Sequence, residues 1–285
     1  MKKLLLLCLL ALAPAARAQD TTLPPVMVPE VINVFPHDGQ AYTQGLLYHN
    51  GLLYESTGLR GQSSLREVDP TTGEVLRQVE VRRPPEQLTG DNALQDYFAE
   101  GLVLVDDQLI QLTWTEGEAF VYDLETFERV NTYSYDGEGW GICYDGRYLY
   151  MSDSTTYLDL RDPATFELIV SFGVLREVQD NQGNRFLLAL GNQLLNELEC
   201  VGDYIYANLW LRDLIAVIDK RNGRIVSFID CSGLLTEEER AAALARNSGA
   251  TLNGIAYNPE TGTFFITGKM WDKMFEVRFV AQQSP

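Results

Sequence analysis

Five times along the chain an apolar run opens behind a polar or aromatic residue, turns within a few residues and returns as a second apolar run. The runs begin at Gly45, Gly101, Gly141, Glu197 and Gly254. Leu46–Tyr48 is answered by Leu52–Tyr54, Leu102–Leu104 by Leu109–Leu112, Ile142–Tyr144 by Tyr148–Tyr150, Leu198–Val201 by Tyr204–Tyr206, and Ile255–Tyr257 by Phe264–Ile266. Short apolar runs on either side of a tight turn predict β-hairpins. A second pattern keeps step with the first: Asp-x-x-Thr/Asn-Gly/Phe recurs at Asp69, Asp123, Asp162 and Asp219, a composition suited to turns between strands. Both series recur at intervals of roughly 40 to 57 residues, the range of repeat architectures. Two hairpins per unit make four strands, which is the blade of a β-propeller, where radial repetition leaves no long exposed sheet edge. The fifth unit has one further strand, Met274–Val280, and Val31–Val34 from the start of the chain is the expected partner that closes the ring. The predicted fold is therefore all-β, a five-bladed propeller over residues 31–285.

The first residues lie outside this scheme. Lys2 and Lys3 precede the run Leu4–Leu12, and Ala16-Arg17-Ala18 offers small residues for cleavage, so residues 1–18 are expected to be a signal peptide, followed by an extension over 19–30. The apolar run is too short to span a bilayer, and Cys8 sits among leucines rather than at a lipidation site. Export to the periplasm or the medium follows as an expectation. Removing Lys2, Lys3 and Arg17 takes the formal charge from −18 to −21, which argues against nucleic acid or anionic membrane as partners. Three cysteines remain, Cys143, Cys200 and Cys231, so at most one internal disulfide is possible. The first two occupy similar places in their repeats, which suggests separate burial in strands over pairing. With only His37 and His49 and no C-x-x-C, no Cys/His metal site is expected; either histidine reads as an ordinary loop or strand residue.

Three stretches interrupt the repeat. Arg82–Asp96, with Pro84 and Pro85, reads as a long loop; Thr236 followed by Glu237–Glu239 and an alanine-rich run reads as a capped helix; Asn181–Asn192 reads as a surface excursion.

Propeller topology places the residues before each unit's first strand and after its second on one rim. Gln44, Glu100, Trp140, Asn196 and Asn253 stand in the first position, and Ser56, Trp114, Asp153, Asn208 with Trp210, and Lys269 in the second. Three of the chain's four tryptophans gather there with carboxylates, amides and an amine. Aromatic walls with a few convergent polar groups describe a ligand pocket. Glu100, behind Phe98-Ala99, is placed to enter that pocket from apolar surroundings, where a carboxyl holds its proton to higher pH and can exchange it near neutrality.

The same residues carry a resemblance. Phe35-Pro36-His37-Asp38, Ala41-Tyr42-Thr43-Gln44-Gly45-Leu46, Tyr54-Glu55-Ser56-Thr57-Gly58, Phe98-Ala99-Glu100-Gly101-Leu102, Thr113-Trp114, Glu138-Gly139-Trp140-Gly141, Asn196-Glu197-Leu198-Glu199, Ala207-Asn208-Leu209-Trp210, Asn253-Gly254 and Thr267-Gly268-Lys269-Met270-Trp271 follow in order. From about Val34 to Phe279 the chain resembles the plant and bacterial type of glutaminyl-peptide cyclotransferase, a five-bladed propeller family. Ala99 stands where the family pattern has Gly, and Tyr42 where it has Phe. The resemblance implies cyclisation of N-terminal glutamine of peptides or proteins to pyroglutamate with release of ammonia, an acyltransferase reaction without cofactor or catalytic zinc. It implies Glu100 as the acid/base group and Gln44, Trp114, Trp140, Asn196, Trp210 and Lys269 around the substrate, in a protein expected to be monomeric. The oxyanion that forms in such a reaction needs a donor, for which an indole N–H, Gln44, Asn196 and Lys269 all qualify. A non-enzymatic secreted propeller that binds a peptide or small ligand is the alternative from a different class.

Overall fold

A computed structural model describes residues 24–84 and 96–282. The expected signal peptide, residues 19–23 of the expected extension and residues 85–95 of the Arg82–Asp96 stretch lie outside the described residues.

The described chain is all-β apart from one helix. Strand β1 (Val26–Pro36) comes first and spans the boundary expected at residues 30 and 31. Three four-stranded antiparallel sheets follow. They are β2 (Thr43–His49) to β3 (Leu52–Thr57), β4 (Ser64–Val68) and β5 (Val75–Glu80); β6 (Ala99–Val105) to β7 (Gln108–Thr113), β8 (Glu118–Asp123) and β9 (Arg129–Ser134); and β10 (Ile142–Tyr144) to β11 (Leu149–Ser152), β12 (Tyr157–Arg161) and β13 (Leu168–Gly173). A hairpin, β14 (Leu175–Gln179) with β15 (Arg185–Ala189), begins ahead of the Asn181–Asn192 stretch expected as a surface excursion and places its second strand within it.

Next come β16 (Leu195–Val201), β17 (Tyr204–Leu209), β18 (Leu214–Asp219) and β19 (Arg224–Asp230), the helix α1 (Glu237–Arg246), then β20 (Leu252–Asn258), β21 (Thr263–Gly268) and β22 (Lys273–Ala281). Strand β1 lies antiparallel to β22 from Met27 to Pro36 and touches β19 in parallel at Val26 and Met27, which fuses the last strands into one larger sheet. The helix begins as the sequence suggests. Thr236 Oγ1 accepts from Glu239 N, and Glu239 Oε2 accepts from Thr236 N at 3.0 Å, a capping box that satisfies two otherwise unpaired donors.

The recurring Asp turn has a common mechanism. The carbonyls of Asp69, Asp123, Asp162 and Asp219 accept from the N–H four residues on, at 2.8–2.9 Å, and that fourth residue has positive φ. Two copies use Gly73 and Gly223 there, while the others use Phe127 and Phe166 at φ 60° and 63°. A left-handed backbone costs a side chain about 1–2 kcal/mol. Burying a phenyl ring contributes about 1.5–3 kcal/mol, so phenylalanine is tolerated because both rings are almost fully enclosed.

Successive sheets pack face to face. Leu102 and Phe120 meet Tyr54 and Leu65; Ile142 and Leu149 meet Ile110 and Val121; Leu195 and Ile205 meet Tyr150 and Leu158; Ile255 and Ile266 meet Ile215 and Ile229. A further cluster brings Ala256, Phe265 and Met274 against Leu46 and Leu53.

Cys143 and Cys200 form a disulfide, with Cα atoms 5.4 Å apart, and Cys231 is free and buried. This corrects the expectation of separate burial. Equivalent places on β10 and β16 are lateral neighbours when sheets stack radially, so similarity of position brings the two sulfurs together.

Candidate active site

Four of the first hairpins share one irregularity. The β2–β3 ladder shifts register between Thr43 and Gly45, β6–β7 between Ala99 and Leu102, β16–β17 between Leu195 and Leu198, and β20–β21 between Leu252 and Ile255. The residues inside those intervals include Gln44, Glu100, Asn196 and Asn253. A local register shift re-aims a side chain that the pleat would otherwise direct into the sheet packing. The third hairpin has no such shift; β10 starts later, and Trp140 N donates to Ser152 O at 3.0 Å ahead of it. Close approach of backbones fixes the glycines that follow. A Cβ on Gly101 would lie 2.8 Å from Gly141 Cα, and one on Gly141 would lie 2.1 Å from Asn196 O.

The result is a cavity of about 180 Å³ lined by Tyr42, Gln44, Phe98, Glu100, Trp114, Trp140, Asn196, Trp210 and Lys269. Its aromatic wall has two parts. Tyr42, Phe98 and Trp114 form an edge-to-face series with ring centroids 6.0 and 5.6 Å apart, and Trp140 meets Trp210 edge to face at 5.6 Å. Glu138 stands between the parts: its Oε2 accepts from Trp114 Nε1 at 2.9 Å and from Trp140 Nε1 at 2.8 Å.

The polar wall is Glu100, Gln44, Asn196 and Lys269, each almost wholly buried. Gln44 Nε2 donates to Glu100 Oε1 at 2.9 Å, while Gln44 Oε1 accepts from Asn253 Nδ2 at 3.3 Å. Asn253 also donates to Thr43 O at 2.9 Å, so it acts behind Gln44 and fixes its amide orientation. Burial pushes the Glu100 carboxyl well above its ordinary range; the Lys269 charge opposes this, and Glu116 and Glu138 add to it. Burial likewise lowers the Lys269 ammonium to about 8, against the pull of Glu100. Lys269 Nζ lies 5.0 Å from the Tyr42 ring centroid, a cation–π contact, and forms no ion pair among the described residues. Asn196 Oδ1 is buried without a hydrogen-bond partner. The cavity thus holds an acid whose proton affinity burial raises, an amine whose proton affinity burial lowers, and an acceptor without a donor, enclosed by rings.

Known proteins share this chain's sequence and fold. A family model described as glutamine cyclotransferase matches residues 4–279. The chain belongs to the glutamine cyclotransferase family. It is 36% identical over 258 residues to the glutaminyl-peptide cyclotransferase of Arabidopsis thaliana, covering 87% of this chain and 70% of that protein. The crystal structure of Myxococcus xanthus glutaminyl cyclase superimposes with a TM-score of 0.73 at 36% identity, covering 91% of this chain and all of that one.

In this member of the glutamine cyclotransferase family all seven residues expected around the substrate, Glu100, Gln44, Trp114, Trp140, Asn196, Trp210 and Lys269, line the one cavity. Other rim residues do not. Ser56 accepts from Gln111, Asn208 accepts from Gly254 N, and Asp153 accepts from Thr155 N, so these three serve the local backbone and packing. Tyr42, Phe98 and Glu138 were not singled out from sequence, yet each stands two residues before a site residue. All three lie just ahead of β2, β6 and β10, outside the ladders, where strand alternation gives no signal. His37 is more than an ordinary loop residue: it is buried between Glu55 Oε1 at 2.9 Å and Trp271 O at 2.8 Å, where Glu55 raises its pKa against the effect of burial. It ties the segment that carries Lys269 to β3.

Proposed function

We propose that the chain is an exported, monomeric glutaminyl-peptide cyclotransferase of the acyltransferase class, built as a five-bladed propeller whose last blade is completed by β1. Its substrates are peptides or proteins with N-terminal glutamine, which it converts to pyroglutamate and ammonia. The observation that carries this reading is the placement of a buried Glu100, its proton affinity raised by burial, in a small aromatic cavity with Lys269 and an unpartnered Asn196 Oδ1. The blade count is supported by the five packed clusters between successive four-stranded groups, and export by the leader-like composition of residues 1–18.

Amine and carboxamide belong to the same residue, so the protein need only hold the side chain folded back, an arrangement whose orientation effect is large. The ring walls exclude water and confine that conformer. Glu100 takes a proton from the α-ammonium group, whose ordinary pKa of about 8 is near enough to neutrality for the transfer. The freed amine attacks Cδ, forming the N–Cδ bond. The Cδ–Nε2 bond breaks as Glu100 returns that proton to the departing nitrogen, which leaves as ammonia, and the carboxylate so regenerated takes the second proton from the ring nitrogen, leaving the neutral lactam, and passes it to solvent.

The structure narrows the oxyanion donor. Gln44 is committed to Glu100, and the indole N–H groups of Trp114 and Trp140 are committed to Glu138. The Trp210 indole N–H, the Asn196 amide N–H2 and Lys269 Nζ have no acceptor among the described residues; Lys269 is the cation of the three, and we assign it the developing negative charge. Asn196 Oδ1 takes an N–H from the substrate amine.

The test is ammonia release from a Gln-initiated peptide, with the same peptide N-acetylated as control. One ammonia per peptide, accompanied by pyroglutamate in the mass spectrum, and none from the blocked peptide, is expected. Peptide binding without ammonia release would favour the binding-protein alternative.

A further inference from the structure

We propose that Glu138 is a positioning residue for the cyclisation, one carboxylate oxygen that locks the Trp114 and Trp140 indoles into a single wall around the folded-back side chain. The inference rests on the cyclotransferase reading above and extends it to a residue that does not itself line the cavity.

The two indoles arrive from different sheets. Trp114 follows β7 and packs on Phe98, whereas Trp140 precedes β10 and packs on Trp210. Glu138 Oε2 accepts both N–H groups, at 2.9 and 2.8 Å, and so joins two aromatic pairs into one arc. An ionised oxygen has the lone pairs to accept both, and charge-assisted bonds are about twice as strong as neutral ones.

The carboxylate is itself held in place. Gly139 N donates to Trp114 O at 2.9 Å, and a Cβ on Gly139 would lie 2.4 Å from the Tyr135 hydroxyl, so the backbone beside Glu138 is clamped against the turn that carries Trp114. With their N–H groups turned to Glu138, both indoles are fixed about the axis that decides which part of each ring faces the cavity. Rotation of either would break a charged hydrogen bond. Enclosure of a flexible side chain in one reactive conformer depends on such fixed walls, and displacement by an ångström can cost two orders of magnitude.

Three variants separate this role from others. Glu138→Ala removes the acceptor, Glu138→Asp keeps the charge one methylene short, and Glu138→Gln keeps an acceptor oxygen at full length without charge. Ammonia-release kinetics and near-ultraviolet circular dichroism of the indoles are measured on all three and on the wild type. A fall in kcat/KM of about 100-fold for Ala, about 30-fold for Asp and only about 5-fold for Gln is expected, in the order set by lost orientation. The indole dichroism should change in Ala and Asp and persist in Gln.

Wild-type activity in Asp, which retains the charge and most of the volume, would overturn the proposal even if Ala failed to fold. Equal damage in Gln and Ala with unaltered dichroism would overturn it too, because the charge would then act on substrate directly. A wild type that releases no ammonia defeats the cyclotransferase reading instead. The dichroism contrast between Gln and Asp would still decide whether Glu138 orients the indoles.

Discussion

Two buried glutamates stand at nearly the same place in the second and fourth repeats and have opposite surroundings. Glu100 directly precedes the glycine of its innermost strand; Glu197 directly follows Asn196 and occupies the glycine place of its own. Both are nearly inaccessible, and burial raises both well above the ordinary carboxylate range. Glu100 meets one side-chain donor, Gln44, and a cavity that a substrate can enter. Glu197 spends its two oxygens on backbone: Oε2 accepts from Ile255 N at 2.9 Å and Oε1 from Leu46 N at 3.5 Å, one on β20 and one on β2. A perturbed proton affinity is common to both, so it does not by itself mark a catalytic group. What distinguishes them is whether the oxygens face a partner that can change.

The sharpest way to break this comparison is Glu100→Gln. The amide keeps the shape and can still accept from Gln44, but it cannot carry a proton between the two nitrogens. A fall in kcat of about 1,000-fold is expected, within the range for loss of a general acid/base, with peptide binding retained. Comparable turnover in the variant, measured by ammonia release, would move the chemistry away from Glu100.

Lys269 comes next in expected effect. If its ammonium stabilises the oxyanion, Lys269→Met lowers kcat by about 100-fold, the loss typical of one such donor. The pH dependence carries the sign. Burial lowers Lys269 to about 8, so its charge is present below that pH and lost above it, and wild-type kcat should decline as pH rises through about 8. The substrate amine acts in the opposite sense, because deprotonation makes it a better nucleophile. A Lys269→Met profile that keeps the same alkaline decline would assign it to another group.

Much of this was legible in the sequence because repetition supplies its own alignment. The five hairpin openings tell which residues share a rim, and that alone brings Glu100, Lys269 and three tryptophans together. The register shifts at Gln44, Glu100 and Asn196 were not legible, since an extra residue in one strand leaves the apolar pattern almost unaltered. The Cys143–Cys200 disulfide was misread for a related reason. Similar repeat position was taken as a sign of separate environments, when adjacent innermost strands bring similar positions face to face. The commitment of the indole N–H groups to Glu138 depends on side-chain direction at a strand end, which spacing does not encode.

The smallest effect expected belongs to Glu197, and it sharpens the comparison most directly. A carboxyl whose folded pKa lies above its unfolded value of 4.5 favours folding below that value, and the benefit is lost as pH rises toward the folded pKa. Glutamine at this place can accept from Ile255 N with its amide oxygen and has no proton to lose. Glu197→Gln should therefore melt close to wild type at pH 5 and increasingly above it as pH rises to 8, by a few degrees, since about 1 kcal/mol shifts a domain of this size by roughly 2–4 °C. Glu100 titrates in both proteins and cancels in the difference, whereas Glu199, pushed up to about 8, repels the Glu197 carboxylate, so relief of that repulsion is part of the gain expected at pH 8. Ammonia release should stay within about threefold of wild type, because neither oxygen of Glu197 faces the cavity. A melting difference that is the same at both pH values would mean that Glu197 is already ionised when folded. A large loss of turnover with unchanged melting would make the axial acid a second member of the proton pathway, and the contrast with Glu100 would fall.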